Sequence, residues 1–231
     1  LRLKLASYNI HKAVGSDGRR DPDRILRVIH ELAADVIALQ EVDQRFGARA
    51  SVLPRALVEE QGYAIDPLFM HPASLGWHGN AVLVRRHIEI LEAAPIALPT
   101  LEPRGAVRVE LRCEGRRFRV AGMHLDLSGL RRRHQIRAIL DDLEQCDRCP
   151  AAMLGDFNEW SPRGGSLREF PAAWQALAPG KSFPSRRPLA ALDRIALSQG
   201  WHCHGHGVHH SALAVAASDH LPVWAELELT A

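Results

Sequence analysis

Short apolar runs that end in a polar residue recur along this chain, and that recurrence narrows the folds open to it. The fullest case is Pro150 to Leu154, which runs into Gly155-Asp156-Phe157-Asn158-Glu159-Trp160. The apolar run reads as a buried strand. Residues two apart on an extended chain face the same side, so Asp156 and Asn158 aim at one point. A carboxylate beside a carboxamide suits a hard divalent cation, a water or a phosphate oxygen. The plainer alternative is a turn or a helix cap, where the same residue types are common.

The rest of the chain repeats the arrangement. Leu1, Leu3 and Leu5 alternate with Arg2 and Lys4 as a half-buried strand that reaches Tyr8-Asn9-Ile10-His11. Asp21-Pro22 starts a helix with an apolar face of Ile25, Val28, Ile29 and Leu32, since Asp caps and Pro fits the first helical position. Val36 to Leu39 is a strand that ends in Gln40-Glu41, where a charge at the mouth of a buried strand calls for a cation or a donor. Pro54 sets a start or kink in a partly helical stretch at 49–61, and Tyr63 to Met70 reads as a strand. Trp77-His78-Gly79-Asn80 leads into a strand at Ala81 to Val84, and Ile88 to Leu98 reads as irregular extended chain.

Ala106 to Arg112 and Arg117 to Leu127 form a hairpin across Glu114-Gly115, its second arm carrying His124. Leu130 to Cys146 is a helix with Arg131, Arg132 and Arg133 in its first turns, facing solvent or reaching a phosphate surface. Leu192 to Leu197 is a strand that bears Asp193, and Trp201 to Val208 is expected to pair with it. Ser218-Asp219-His220 opens the last strand, Val223 to Leu229. Strands alternating with helices, plus a hairpin, indicate an α/β protein with mixed or antiparallel sheets. Polar residues at so many strand ends suggest one site assembled by the fold.

Composition adds limits. With 231 residues and no linker-like stretch, one domain over 1–231 is expected. No apolar run is long enough to span a bilayer. Cys146-x-x-Cys149 has no second cysteine pair to complete a zinc site, so it reads as two thiols at a helix end, and the sparse cysteines fit a reducing, cytoplasmic setting. The histidines between His202 and His210 complete no structural zinc spacing and read as an exposed loop. Net charge is only +2, but from Arg104 to Arg137 arginines outnumber acids ten to three, which suits either phosphate-bearing partners or a solvated face.

Taken together, Tyr8-Asn9-Ile10-His11, Leu39-Gln40-Glu41-Val42, His78-Gly79-Asn80-Ala81, Met123-His124-Leu125, Gly155-Asp156-Phe157-Asn158, Leu192-Asp193-Arg194-Ile195 and Ser218-Asp219-His220-Leu221-Pro222-Val223 resemble, in order, the motifs of the endonuclease/exonuclease/phosphatase superfamily. That superfamily includes DNase I, abasic-site endonucleases, neutral sphingomyelinases and inositol polyphosphate 5-phosphatases. The loop around Asp17 to Asp23 looks most like its small bacterial metal-dependent hydrolases. Val84-Arg85-Arg86-His87-Ile88 departs from the Ser-Arg-Phe-Pro-Ile type of stretch.

The resemblance implies an α/β (α+β) fold of the DNase I-like kind: a four-layer sandwich of two packed mixed β-sheets flanked by helices. It implies a phosphoesterase dependent on Mg²⁺ or Mn²⁺; a monomer is expected. It also implies roles. Glu41 holds metal, with Asn9 beside it and Asp219 as a second acid. Asp156 and Asn158 position or activate water and hold phosphate, and His220 is the catalytic histidine, oriented by Asp193. His124 contacts phosphate, with His78 and Arg104 as further phosphate candidates. Either Asp156 or His220 is the base. The substrate is a phosphoester: a nucleic acid cut by an endonuclease or exonuclease, or a phospholipid head group or small molecule. The competing class is a non-catalytic phosphate-binding module of the same fold.

Overall fold

The computed structural model describes residues 1–100, 104–145 and 149–230. In chain order the elements are β1 (Arg2–Asn9), α1 (Pro22–Leu32), β2 (Val36–Gln40), α2 (Arg55–Glu60), β3 (Tyr63–Ile65), β4 (Ala81–Arg85), β5 (Glu89–Ile96), β6 (Ala106–Cys113), β7 (Arg116–His124), α3 (Gly129–Glu144), β8 (Ala151–Asp156), β9 (Gln175–Leu177), β10 (Asp193–Leu197), β11 (Trp201–Val208), α4 (Ala212–Ala217) and β12 (Val223–Leu229). They form two six-stranded sheets, ordered β11-β12-β1-β2-β4-β3 and β5-β6-β7-β8-β10-β9. Both sheets are mixed. β1 runs parallel to β2 and β7 parallel to β8, and the other pairs are antiparallel.

Period-two alternation sorts the apolar side chains into three layers. Leu3, Leu5, Val36 and Ala38 of the first sheet meet Val107, Val120, Leu154 and Ile195 of the second between the sheets. The opposite face of the first sheet, with Tyr8 and Leu39, is covered by Ile25, Ile29 and Leu32 of α1 and by Ala214 and Ala217 of α4. The far face of the second, with Met123 and Met153, is covered by Ile136, Ile139 and Leu143 of α3. The result is the helix–sheet–sheet–helix sandwich that the motifs imply. α1 begins as expected: Pro22 is its first residue, and the Asp21 carboxylate accepts the Arg24 N–H at 3.1 Å.

Several expectations need correction. Trp201–Val208 pairs with β12, not with the Leu192–Leu197 strand. Both edges of β10 are already taken, by β8 and β9, so the chain crosses to the other sheet. The His202–His210 stretch is therefore mainly strand, not loop; β11 is an edge strand whose His202, His204 and His206 point into solvent in alternation. The strand at Tyr63 stops at Ile65 rather than Met70, because the Asp66 carboxylate turns to accept the Val82 and Leu68 N–H groups at 2.6 and 3.0 Å. Ile88 to Leu98 is not irregular: Glu89–Ile96 is a regular strand with one bulge. The Cys146 half of the cysteine pair lies outside the described residues.

Two glycines let the sheets and strands close up. A Cβ on Gly122 would lie 3.0 Å from Val82 Cγ2 and 3.2 Å from Ala38 Cβ across the sheet interface. On Gly155 it would fall 2.1 Å from the Met123 carbonyl oxygen in the neighbouring strand. Backbone cannot yield there as a flexible side chain would. Gly155→Ala is therefore expected to lower folding stability by about 2 kcal/mol or more, read as a lower urea midpoint; an unchanged midpoint would show that β7 and β8 tolerate the extra carbon.

Candidate active site

The alternation that builds the middle layer also aims the polar strand ends. On β8, Ala152 and Leu154 face between the sheets, so Asp156 does too. On β7, Phe118 and Val120 set the same face for His124; on β10, Ile195 and Leu197 set it for Asp193. Register puts His124 opposite Asp156, and Asp156 opposite Asp193, so the three stand in one row across neighbouring strands. From the facing sheet, Asn9 has the parity of Leu3 and Leu5 and projects into that row.

Asp156 is the hub and is 1 % exposed. Its Oδ2 accepts from Asn9 Nδ2 at 3.1 Å, and lies 3.3 Å from His124 Nε2 and 3.7 Å from His220 Nε2. Its Oδ1 accepts the Asn158 N–H at 2.9 Å. Burial alone would raise its pKa, but His220, His124 and the Asn158 N–H outweigh it and hold the carboxyl well below the usual range. Asn158 sits in left-handed backbone, φ 49°, and its amide donates to the Leu125 carbonyl at 2.9 Å.

His220 and Asp193 form a second unit. His220 Nδ1 lies 2.8 Å from Asp193 Oδ2, which also accepts the Ser182 hydroxyl. Burial opposes charge on His220, yet Asp193 and Asp156 raise its pKa to about 10; burial, with the charge of Asp156, raises Asp193 as well. Both shifts mean that the pair keeps its proton. Ser218 secures the approach, its hydroxyl donating to the Asn9 carbonyl at 2.8 Å and accepting the His220 N–H at 3.3 Å.

On the other side of His124 lies a cleft lined by Lys12, Glu41, Asp43, Arg49, His78 and Arg104, among others. Glu41 follows β2 in left-handed backbone, φ 58°, and its carboxylate is ion-paired to the Lys12 ammonium. Burial works against ionisation of Glu41, but His124 and Lys12 outweigh it and lower its pKa. Lys12 is held there by three consecutive left-handed residues, His11, Lys12 and Ala13, and by its N–H to the Glu41 carbonyl at 3.2 Å. Such backbone costs roughly 1–3 kcal/mol per residue and gathers at functional sites. Arg104 meets His124 Nε2, the nitrogen that also faces Asp156. One nitrogen cannot accept from the first and donate to the second, so the ring proton decides which contact holds.

Asn9, Glu41, His124, Asp156, Asn158, Asp193, His220, His78 and Arg104 are thus all brought to one continuous site. Asp219 stands at its rim, partly exposed, with its carboxylate 3.8 Å from the ring of His11. The Asn9 amide is spent on bridging, its Oδ1 accepting the His11 N–H at 3.1 Å. Lys12, Ser182 and Arg49 were missed, and Ser218 stood inside a quoted motif without a role. Lys12 lies one residue past a singled-out stretch, but the loop around Ser182 carries no signal beyond its Pro, Gly and Ser content.

In the basic section from Arg104 to Arg137 most arginines are engaged by acids of this chain. Arg108 pairs with Glu92 and Asp142, Arg112 with Glu89, and Arg117 and Arg119 with Glu110. Arg133 and Arg137 pair with Glu169. Arg132 is buried and reaches Glu159 at 3.2 Å, and Glu159 also accepts from Ser161 and Ser166, tying the loop after Asn158 to α3. Seven of these ten arginines are thus paired with acids, and Arg104 alone of the ten lines the cleft.

Asp156, Asp193 and His220 offer ligand atoms within 4.8 Å of one another. A cation there would have to replace the Asp193–His220 hydrogen bond. The Glu41 carboxylate already draws a cation, the Lys12 ammonium; a hard divalent ion suits that oxygen but would displace the ammonium, leaving the row intact.

Residues 6–220 match the Endonuclease/Exonuclease/phosphatase family, and the chain belongs to that family. Among its relatives, the uncharacterised Escherichia coli (strain K12) protein YbhP is 26% identical, covering 98% of this chain and 96% of its own. An endonuclease/exonuclease/phosphatase from Bacteroides vulgatus superposes with a TM-score of 0.78 at 16% identity, covering 99% of both chains. A mannosyl-6-phosphatase from Bacteroides thetaiotaomicron gives 0.74 at 20% identity, covering 98% of this chain and 99% of its own.

The retained proton makes a pH prediction. A histidine whose pKa is higher folded than unfolded stabilises the fold fully below its unfolded value of 6.5, and the contribution is lost as pH rises through the folded value. Stability of the wild type is expected to decline from about pH 6.5 towards about 10, and His220→Gln to lack that component of the slope in denaturant titrations. Parallel slopes in the two proteins would contradict the shift.

Proposed function

We propose that the chain hydrolyses a phosphoester by attack of water on phosphorus, with a divalent cation, Mg²⁺ or Mn²⁺, bound at Glu41. The observation that carries this is the convergence of Asn9, His124, Asn158 and His220 on the single carboxylate of Asp156. Family membership and the likeness to a phosphatase support the same reading.

Each side chain has a task in this reading. Asp156 is ionised and faces the space between His124 and His220, where it orients water. Its low basicity suits it to take the proton late, as the P–O bond forms and the attacking water becomes acidic. His220 is held protonated by Asp193, so it serves as donor to a phosphoryl oxygen rather than as base. His124 and the Asn158 amide add donors on either side, where negative charge grows in the transition state. Asn9 fixes the Asp156 carboxylate. A cation at Glu41, when bound, supplies charge neutralisation at the phosphoryl oxygens. Asp219 supports His11 at the rim, and the chain acts as a monomer.

The test uses bis(p-nitrophenyl) phosphate with Mg²⁺ or Mn²⁺. Asp156→Asn and His220→Gln are each expected to lower kcat by about 10²–10⁴ with the circular dichroism spectrum intact, and EDTA to abolish turnover. Glu41→Gln is expected to lose Mn²⁺ binding, read by electron paramagnetic resonance. Full activity in Asp156→Asn, or turnover that persists in EDTA, would refute the proposal.

A further inference from the structure

The catalytic row does not use all of the cleft. Besides His124 and Glu41 the cleft is lined by Arg49 and His78, and His220 does not line it. Cations prevail along it. Asp43 turns its carboxylate to the Leu75 and Gly76 N–H groups, at 2.7 and 3.1 Å, and Glu41 is matched by Lys12. Arg49 is different. Among the described residues no carboxylate lies within ion-pair distance of it, and the nearby Asp43, which feels its charge, is turned to backbone N–H groups; Arg49 Nη1 donates to His78 Nδ1 at 3.4 Å.

That contact sets the chemistry of the histidine. An arginine cannot accept, so His78 Nδ1 must, and the ring proton sits on Nε2. Arg49 and His78 together then present several N–H donors and a full positive charge in a concave wall. Both are held in left-handed backbone, at φ 47° in each case, a conformation that residues with a side chain adopt mainly where surrounding structure enforces it. A guanidinium with an imidazole N–H beside it matches the fork of a phosphate group. A single phosphodiester carries one negative charge, and in the hydrolytic reading His220, His124 and Asn158 already serve as its donors.

We propose that Arg49 and His78 form a subsite for a second phosphate, so that the substrate is a phosphoester bearing another phosphate on the substituent that points away from His220. This rests on the hydrolytic reading for the place of the first phosphate. The shared chemistry is a bisphosphate; a nucleic-acid strand and a phosphorylated small molecule both supply it.

The experiment has two arms with the intact protein and Mn²⁺. Thymidine 5′-(p-nitrophenyl phosphate) is compared with its 3′-phosphorylated form, and propyl p-nitrophenyl phosphate with its terminally phosphorylated form. The added phosphate is expected to raise kcat/KM by about tenfold or more. Arg49→Gln should bring that preference close to unity, and Arg49→Lys should keep part of it. A gain on both scaffolds means that the phosphate is recognised by itself; a gain on thymidine alone assigns it to a nucleic-acid strand. Equal kcat/KM with and without the second phosphate on both scaffolds overturns the proposal, as does a preference that survives in Arg49→Gln.

Calorimetry in EDTA provides a readout independent of turnover. 1,3-Propanediol bisphosphate should bind the wild type about tenfold more tightly than propyl phosphate, and Arg49→Gln should not discriminate between them. If no ester is cleaved but this discrimination is present, the subsite stands and the hydrolytic reading fails. If neither ligand is preferred, the subsite is refuted whatever the turnover.

Discussion

A carboxylate buried between two sheets organises this molecule. Asp156 lies where the middle apolar layer ends, with Asn9 of one sheet donating to it and the His124 ring of the other beside it. Removing such a charge from water costs several kcal/mol unless partners replace the lost solvation. The chain meets that demand with Asn9 and His124, fixed by strand register, and with Asn158 and His220 from the segments that adjoin β8 and β12. The pleat that turns Leu3, Leu5, Leu154 and Ile195 inward also turns Asn9, Asp156 and Asp193 inward. Packing and site geometry therefore share one cause, and a slip of one residue in β8 would destroy both.

Much of this was legible because strands announce themselves locally. Alternating leucines at 1, 3 and 5 and the run at 150–154 define strands by period and burial, and the polar residue at each end follows by counting. The Asp21-Pro22 start of α1 and the hairpin at Glu114-Gly115 carry their own turn chemistry and appear where expected. The pairing of strands was not legible. Trp201–Val208 joins the sheet opposite its predecessor because both edges of β10 are occupied, a fact that no window of sequence contains.

Charge was the other blind spot. Arginines 131–133 look alike in sequence, yet Arg132 is buried against Glu159 while Arg133 faces outward to Glu169. Their partners lie about thirty residues away and are chosen by the packing of α3 on the loop after β8. Lys12 shows the reverse. It occupies one of three successive left-handed residues, and nothing in its residue type signals that conformation. The strained turn is set by tertiary contacts, and it is what brings an ammonium to Glu41.

The chemistry proposed here is a single displacement at phosphorus, in which water oriented at Asp156 attacks while His220, charged by Asp193, stands as donor. No side chain in the row is placed as a nucleophile in its own right. Its most direct test is stereochemical. A phosphorothioate diester of one configuration at phosphorus, hydrolysed by the protein in ¹⁸O-labelled water, should give product of inverted configuration carrying one solvent oxygen. Retention of configuration would mean two displacements through a covalent enzyme intermediate, and would contradict the account.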